Sequence, residues 1–240
     1  MGNLKYGKNP ARKLFGVAEM EAYHSGRLPA PPATLMYANT IPQTGWGMMD
    51  NDRLGCCTIS GVGHLIMAYN AETGKSDHVP TDPEVSDTYF SLTGGADSGL
   101  VEADVMQKWA TDGLFGSKIL AYNQLQTNLL ALHTGIYCYG ALYLGIEVPE
   151  SMQTDFADGT PIVYHPGSPI EGGHCVIAVG YDQHYLDIVT WGKRVRMSYP
   201  FLAHYLTEAW VTIPDEFAAE GHGPIPSIDV NTLRQDLGIA

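Results

Sequence analysis

The 240-residue chain is 45% hydrophobic, enough to bury one large core, or two lobes sharing a cleft, without covalent staples. A formal net charge of −13 leaves no lysine or arginine cluster to displace phosphate counterions, which argues against nucleic acid as a partner. Four cysteines, two of them adjacent, give neither a spaced disulfide framework nor a CxxC pair, so a reducing compartment is expected.

Residues 1–45 are rich in proline and turn formers, above all Pro29-Ala-Pro-Pro-Ala33, and read as an extended lead-in laid over the body. A short helix is expected around Val17–His24, and nothing in the segment suggests chemistry. No early apolar run suits a secretory signal, no later stretch is long enough to cross a bilayer, and Tyr6 stands where a myristoylation motif wants serine or threonine. The expected location is cytoplasmic or virion-associated, without membrane contact.

The next stretch, from Asp50 to Met67, reads as a glycine turn that delivers a cysteine onto a buried helix. Asn51 or Asp52 shapes the loop, Gly55 makes the bend, and Ile59, Val62, Leu65, Ile66 and Tyr69 recur at three and four, the spacing of one buried helical face. Cys57 falls on the first turn, where unpaired N–H groups and the helix dipole stabilise a thiolate. The competing reading makes Cys56 and Cys57 small core hydrophobes. A glycine stop is expected at Gly74.

Helices follow over Glu84–Leu92 and from Val101 to Gly113, separated by the glycine-rich turn Thr93–Gly99. From about residue 131 aromatic and branched residues bounded by glycine and proline predict strands over Gly135–Gly140, Ala141–Val148, Gly172–Tyr181, Tyr185–Gly192 and Glu208–Ile213. Pro200–Leu206 suits a helical turn, and Ile228–Leu237 a short helix capped by Asp229 or Asn231. The class is α+β: a lead-in at 1–47, a helical lobe at 48–130, a β lobe at 131–213 and a tail at 214–240.

A thiol at a helix start becomes a catalyst when a nearby base can take and return its proton. His64 lies seven residues along the same helix, about 10.5 Å away, too far to bond the thiol. His174 opens an apolar strand directly after two glycines. Alternation puts His174, Val176 and Ala178 on one face and Cys175, Ile177 and Val179 on the other, so Cys175 is expected to point away from the site.

Together, Gly55-Cys-Cys57, His174-Cys-Val-Ile-Ala-Val-Gly-Tyr181, Val189-Thr-Trp-Gly192 and the strand around Trp210 resemble the papain-like cysteine peptidases from about residue 48 to 213. The loop Asn51-Asp-Arg-Leu-Gly-Cys-Cys-Thr58 is similar to an N-D-x-x-G-x-C-T loop of bacterial and phage proteins, a divergent branch. The resemblance implies a two-lobed fold with the cleft between lobes, Cys57 as nucleophile, His174 as base and peptide or protein as substrate. Asn51 takes the place of the oxyanion glutamine. Val189 takes that of the asparagine that orients the histidine. Thr190 is expected on the other face, and Asp187, about 6.6 Å upstream on the face of Val189, is the candidate orienting group. No long inhibitory prosegment is expected before residue 48.

No cofactor or metal is expected. A zinc site from Cys56, Cys57, His174 and Cys175 is a weak reading, because adjacent cysteines seldom both reach one metal. A transglutaminase-type acyl transferase would use the same pair. A binding or assembly protein with a degenerate site, and a structural partner protein, is the alternative that Val189 keeps open. The catalytic reading places Cys57 roughly 3–4 Å from the His174 ring, and makes Cys57 rather than Cys56 the thiol alkylated at mildly acidic pH.

Overall fold

The computed structural model describes residues 4–24, 27–214 and 228–239. Its axis is helix α1, Cys57–Thr73, which is apolar almost all round and buried from Cys57 to Ile66. Gly61 and Gly63 let neighbours close on it: a Cβ at Gly61 would lie 2.7 Å from the Tyr143 ring, and one at Gly63 2.6 Å from the Met49 sulfur. The helix ends where expected, at Gly74 with φ of 70°. Helices α2 (Asp82–Thr93), with a Thr81–Glu84 capping box, and α3 (Glu102–Thr111) pack beside it.

The other layer is a sheet. Strands β2 (Ile119–Leu125), β3 (Leu142–Pro149), β4 (Ile170–Tyr181), β5 (Tyr185–Thr190), β6 (Lys193–Ser198) and β7 (Leu206–Pro214) run in the order β2-β7-β3-β4-β5-β6, all antiparallel. The short β1 (Leu35–Met36) adds to β4. One face, carrying Tyr143, Cys175, Ile177, Val179, Val189 and Trp210, packs on α1. The opposite face, with Leu142, Leu144, Val176 and Ala178, is covered by α4 (Leu129–Tyr139), α5 (Glu150–Asp158) and α6 (Tyr199–Tyr205). Helix α7 (Val230–Leu237), capped by Asp229, lies near β2.

Four elements differ from the sequence reading. Gly135–Gly140, expected as strand, lies in helix α4, whose buried Leu132, Ile136 and Tyr139 follow helical spacing behind an Asn128 cap. The sheet takes in Ile119–Leu125 and the charged edge strand β6, neither of which alternates cleanly enough to stand out. The expected helix near Val17–His24 is one 3-10 turn, Met20–Tyr23. Among the described residues no helix is long and apolar enough to cross a membrane.

Candidate active site

Cys57 opens α1 behind a tightly braced loop. Met49 and Asp50 hold left-handed φ values of 52° and 57°, Arg53 Nε donates to the Asp50 carboxylate at 3.1 Å, and Ser86 Oγ donates to the same group. Gly55 N–H donates to Asp97 Oδ1 at 2.9 Å, and Tyr89 Oη donates to the same oxygen at 2.7 Å. The cysteine loop and the Asp97–Gly99 turn are thereby clamped together across one end of a cleft. Asn51 is buried, and its Nδ2 donates to Leu54 O at 3.3 Å, closing the loop.

On the opposite wall, the Cys175 backbone N–H donates to Cys57 Sγ at 3.4 Å, so the thiol meets β4 one residue from His174. The His174 ring is fully buried, lies 4.6 Å from the Trp191 ring and 20° from parallel to it, and shares a hydrogen bond of 2.8 Å between Nε2 and Thr190 Oγ1. Its Nδ1 has no hydrogen-bond partner, so the His174 ring is not bonded to the thiol.

The pairing of β5 explains the choice of Thr190. Val189 opposes Ile177 in the ladder, which puts Val189, and with it Asp187, on the helix-facing side, and turns Thr190 to the face of Val176 and His174. Asp187 opposes Arg196 on β6 and makes no described hydrogen bond to His174. The expectation that Thr190 faces away is therefore reversed. Cys175 is also reversed: its sulfur packs against Gly61 of α1, on the thiol's side of the sheet. Among the described residues no three histidine, cysteine or acidic groups converge as a metal site.

The lead-in, expected to carry no chemistry, runs through the cleft. Lys8 N–H donates to Gly173 O at 3.0 Å, Leu100 N–H to Gly7 O at 2.9 Å, and Asn9 N–H to Leu100 O at 2.8 Å, so residues 7–9 are held by main-chain bonds to both walls. Those walls are glycine where the strap passes: a Cβ would meet Tyr6 O at 2.7 Å from Gly55, Gly7 O at 2.3 Å from Gly99 and Lys8 O at 2.4 Å from Gly173. Tyr6 stands edge-on to His174 at 6.1 Å and its hydroxyl donates to Glu171 at 2.7 Å. The Lys8 side chain is buried, with Nζ 2.8 Å from Glu208 Oε1.

Under this strap both reactive groups are neutral. Burial pushes the Cys57 thiol up to about 12, against the opposing pull of the Cys175 and Gly7 N–H groups, and burial lowers His174 to about 3. Cys56 is also raised, to about 11, by burial, and its sulfur is directed at Met49 O and Ser60. His64 is a core residue, lowered to about 4 by burial, with Nε2 at 3.1 Å from Gly47 O.

No protein-family model matches the sequence, and no curated protein matches it. Solved structures do. Xylellain, a cysteine protease from Xylella fastidiosa, superposes with a TM-score of 0.66 at 16% identity over 89% of this chain and 98% of its own. Procathepsin B S9 from Trypanosoma congolense gives 0.61 at 12% identity over 88% and 86%. The cysteine protease and lectin-like domains of Cwp84, from Clostridium difficile, give 0.53 at 12% identity over 84% and 62%.

Proposed function

We propose that this chain, which has the papain-like α+β fold, is a thiol hydrolase of peptide substrates held latent by its own residues 6–9. The observation that carries the reading is the meeting of Cys57 Sγ with the N–H of Cys175, next to His174, inside a cleft whose glycine walls already hold an extended main chain. With the strap gone, water enters, the burial that raises the thiol is relieved, and the helix start favours the thiolate. Cys57 then attacks a substrate carbonyl while His174 Nδ1, unpartnered in the closed state, takes the thiol proton and returns it to the leaving group. Thr190 fixes the far nitrogen. One Asn51 N–H is spent on Leu54; its second is the donor for the developing oxyanion.

The test opens the cleft sterically. A Cβ on Gly7 would fall 1.6 Å from Gly55 O, so Gly7→Ala expels the strap while leaving Cys57, His174, Thr190 and Asn51 unsubstituted. Iodoacetamide is expected to label Cys57, and not Cys56, in this variant and neither in the intact chain, with thiol-dependent cleavage of peptide or ester substrates appearing together with the labelling. The raised thiol, with no hydrogen bond to His174, favours one other reading, a permanently closed site in a binding or assembly protein. If Gly7→Ala exposes the cleft to solvent but yields no thiol-dependent activity, that reading replaces the hydrolase.

A further inference from the structure

Beside the thiol lies a buried acidic pocket that the chemistry above does not use. Its floor is Glu208 on β7 and Glu102 at the start of α3, both with no exposed surface, and Gly145 and Cys175 form its walls. Trp210 Nε1 donates to Glu208 Oε2 at 3.0 Å, while Lys8 Nζ takes Oε1. Neither oxygen of Glu102 is met at full hydrogen-bond geometry, although the Cys175 thiol and the Trp210 N–H lie beside it. We infer that this pocket is a recognition subsite for the lysine side chain of a peptide substrate, and that Lys8 of the strap occupies it as a stand-in. The inference rests on the hydrolase reading for the word substrate and on the pocket alone for the word lysine.

A structural tie for the strap would need one carboxylate, since one ammonium and one carboxylate neutralise each other. A second fully buried acid is costly, and apolar residues of similar volume would stabilise the fold at least as well. Glu102 sits well above the ordinary carboxylate range, because of burial and then Glu208, with Lys8 pulling it back. It can therefore offer a neutral carboxyl beside Glu208, and a lysine ammonium has donors for both.

Shape points the same way. A Cβ at Gly145 would lie 2.1 Å from Lys8 Cε, 2.7 Å from Glu208 Cγ and 3.0 Å from Glu102 Oε1, so the absent side chain makes room for a thin unbranched stem. The bonds to Gly173 O and Leu100 are main-chain bonds that do not read the Lys8 side chain. Selectivity then falls on the side chain that turns inward between them.

The test uses the full-length protein carrying Gly7→Ala, which opens the cleft, together with Lys8→Ala, which vacates the pocket, and capped tetrapeptides copied from Tyr6–Asn9 with lysine, norleucine, arginine or glutamate at the third position. Binding is read as protection of Cys57 from iodoacetamide and, independently, as a rise in thermal midpoint. The lysine peptide is expected to act at about a hundredfold lower concentration than the norleucine one, as for a site whose buried polar groups would otherwise be unpaired. Glu208→Gln in the same background should remove most of that difference. Should the double variant not fold, Gly7→Ala alone provides the opened cleft with both acids intact. Equal binding of the norleucine peptide, stronger binding of the arginine peptide, or no binding by either readout overturns the assignment. Discrimination without cleavage leaves the subsite standing and removes the hydrolase; cleavage without a lysine preference does the reverse.

Discussion

A histidine that must accept a proton and give it back needs one ring nitrogen held and the other free, and His174 has Nε2 on Thr190 Oγ1 and Nδ1 unpartnered. Trp191 covers the ring face and limits its rotation. Thr190→Val keeps the volume of the side chain and removes the hydroxyl, so in a strap-opened background kcat should fall by about ten- to a hundredfold with little change in KM. Thr190→Ser should restore it, and the acidic limb of the pH–rate profile should move in the valine variant but not in the serine one. Unchanged kcat in the valine variant removes Thr190 from the site. The strand order of His174, Thr190 and Trp191 is readable in the sequence, but the face Thr190 occupies is not. Alternation within β5 says only that Val189 and Thr190 differ, and the cross-strand pair Val189–Ile177 decides which of them meets His174.

Among the elements, α1 sets the position of the thiol, and its fit against the sheet depends on Gly61. The Tyr143 ring beside it cannot swing aside freely, because its hydroxyl donates to Thr58 O on the same helix at 2.6 Å. In Gly61→Ala the methyl would press on that ring at 2.7 Å and on Cys175 Sγ at 3.1 Å. Alanine's better helix propensity offers about 1 kcal/mol, less than the upper range of about 1–3 kcal/mol for overpacking a filled core. The expected net is a lower thermal midpoint, and one equal to or above wild type would show that the helix shifts without cost. Helices α2 and α3 were legible because their burial is periodic, and α1 and strand β4 because each is a continuous apolar run. Helix α4 was obscured by its own composition: its aromatic and β-branched residues favour strand, and only the sheet packed beneath Leu132 and Ile136 decides for helix. The edge strand β6, Lys193–Ser198, carries lysine and arginines that protect an open edge and hide a strand from a hydrophobic reading.

The strap is a property of the whole molecule, which is why a reading of segments passes over it: Lys8 finds its partner at Glu208, and Tyr6 at Glu171, both in the last third of the chain. Gly7 and Lys8 in a turn-rich lead-in have no periodicity to betray a docked strand. Closure has a proton cost that can be worked out. Buried under Tyr6, His174 binds a proton only near pH 3, whereas in an open, hydrated cleft it returns toward its ordinary value of about 6.5. The depressed group is neutral in the closed state, so closure is undiminished above about pH 6.5 and is lost as pH falls from there toward 3. In that window the open state takes up the proton the closed one refuses, and opening gains about tenfold for each pH unit. Glu102 works in both directions, since departure of Lys8 removes the cation that lowers it while the entry of water relieves the burial that raises it. His64, lowered to about 4, adds acid sensitivity to the fold as a whole but is unchanged by strap movement. The expected outcome in the intact chain is that Cys57 labelling, corrected for the intrinsic pH dependence of the thiol, rises on mild acidification while far-UV circular dichroism stays native. In Gly7→Ala the rise should be absent, because that cleft is already open. Labelling that increases only together with the loss of circular dichroism would assign acid sensitivity to global unfolding through His64 and leave the strap insensitive to pH.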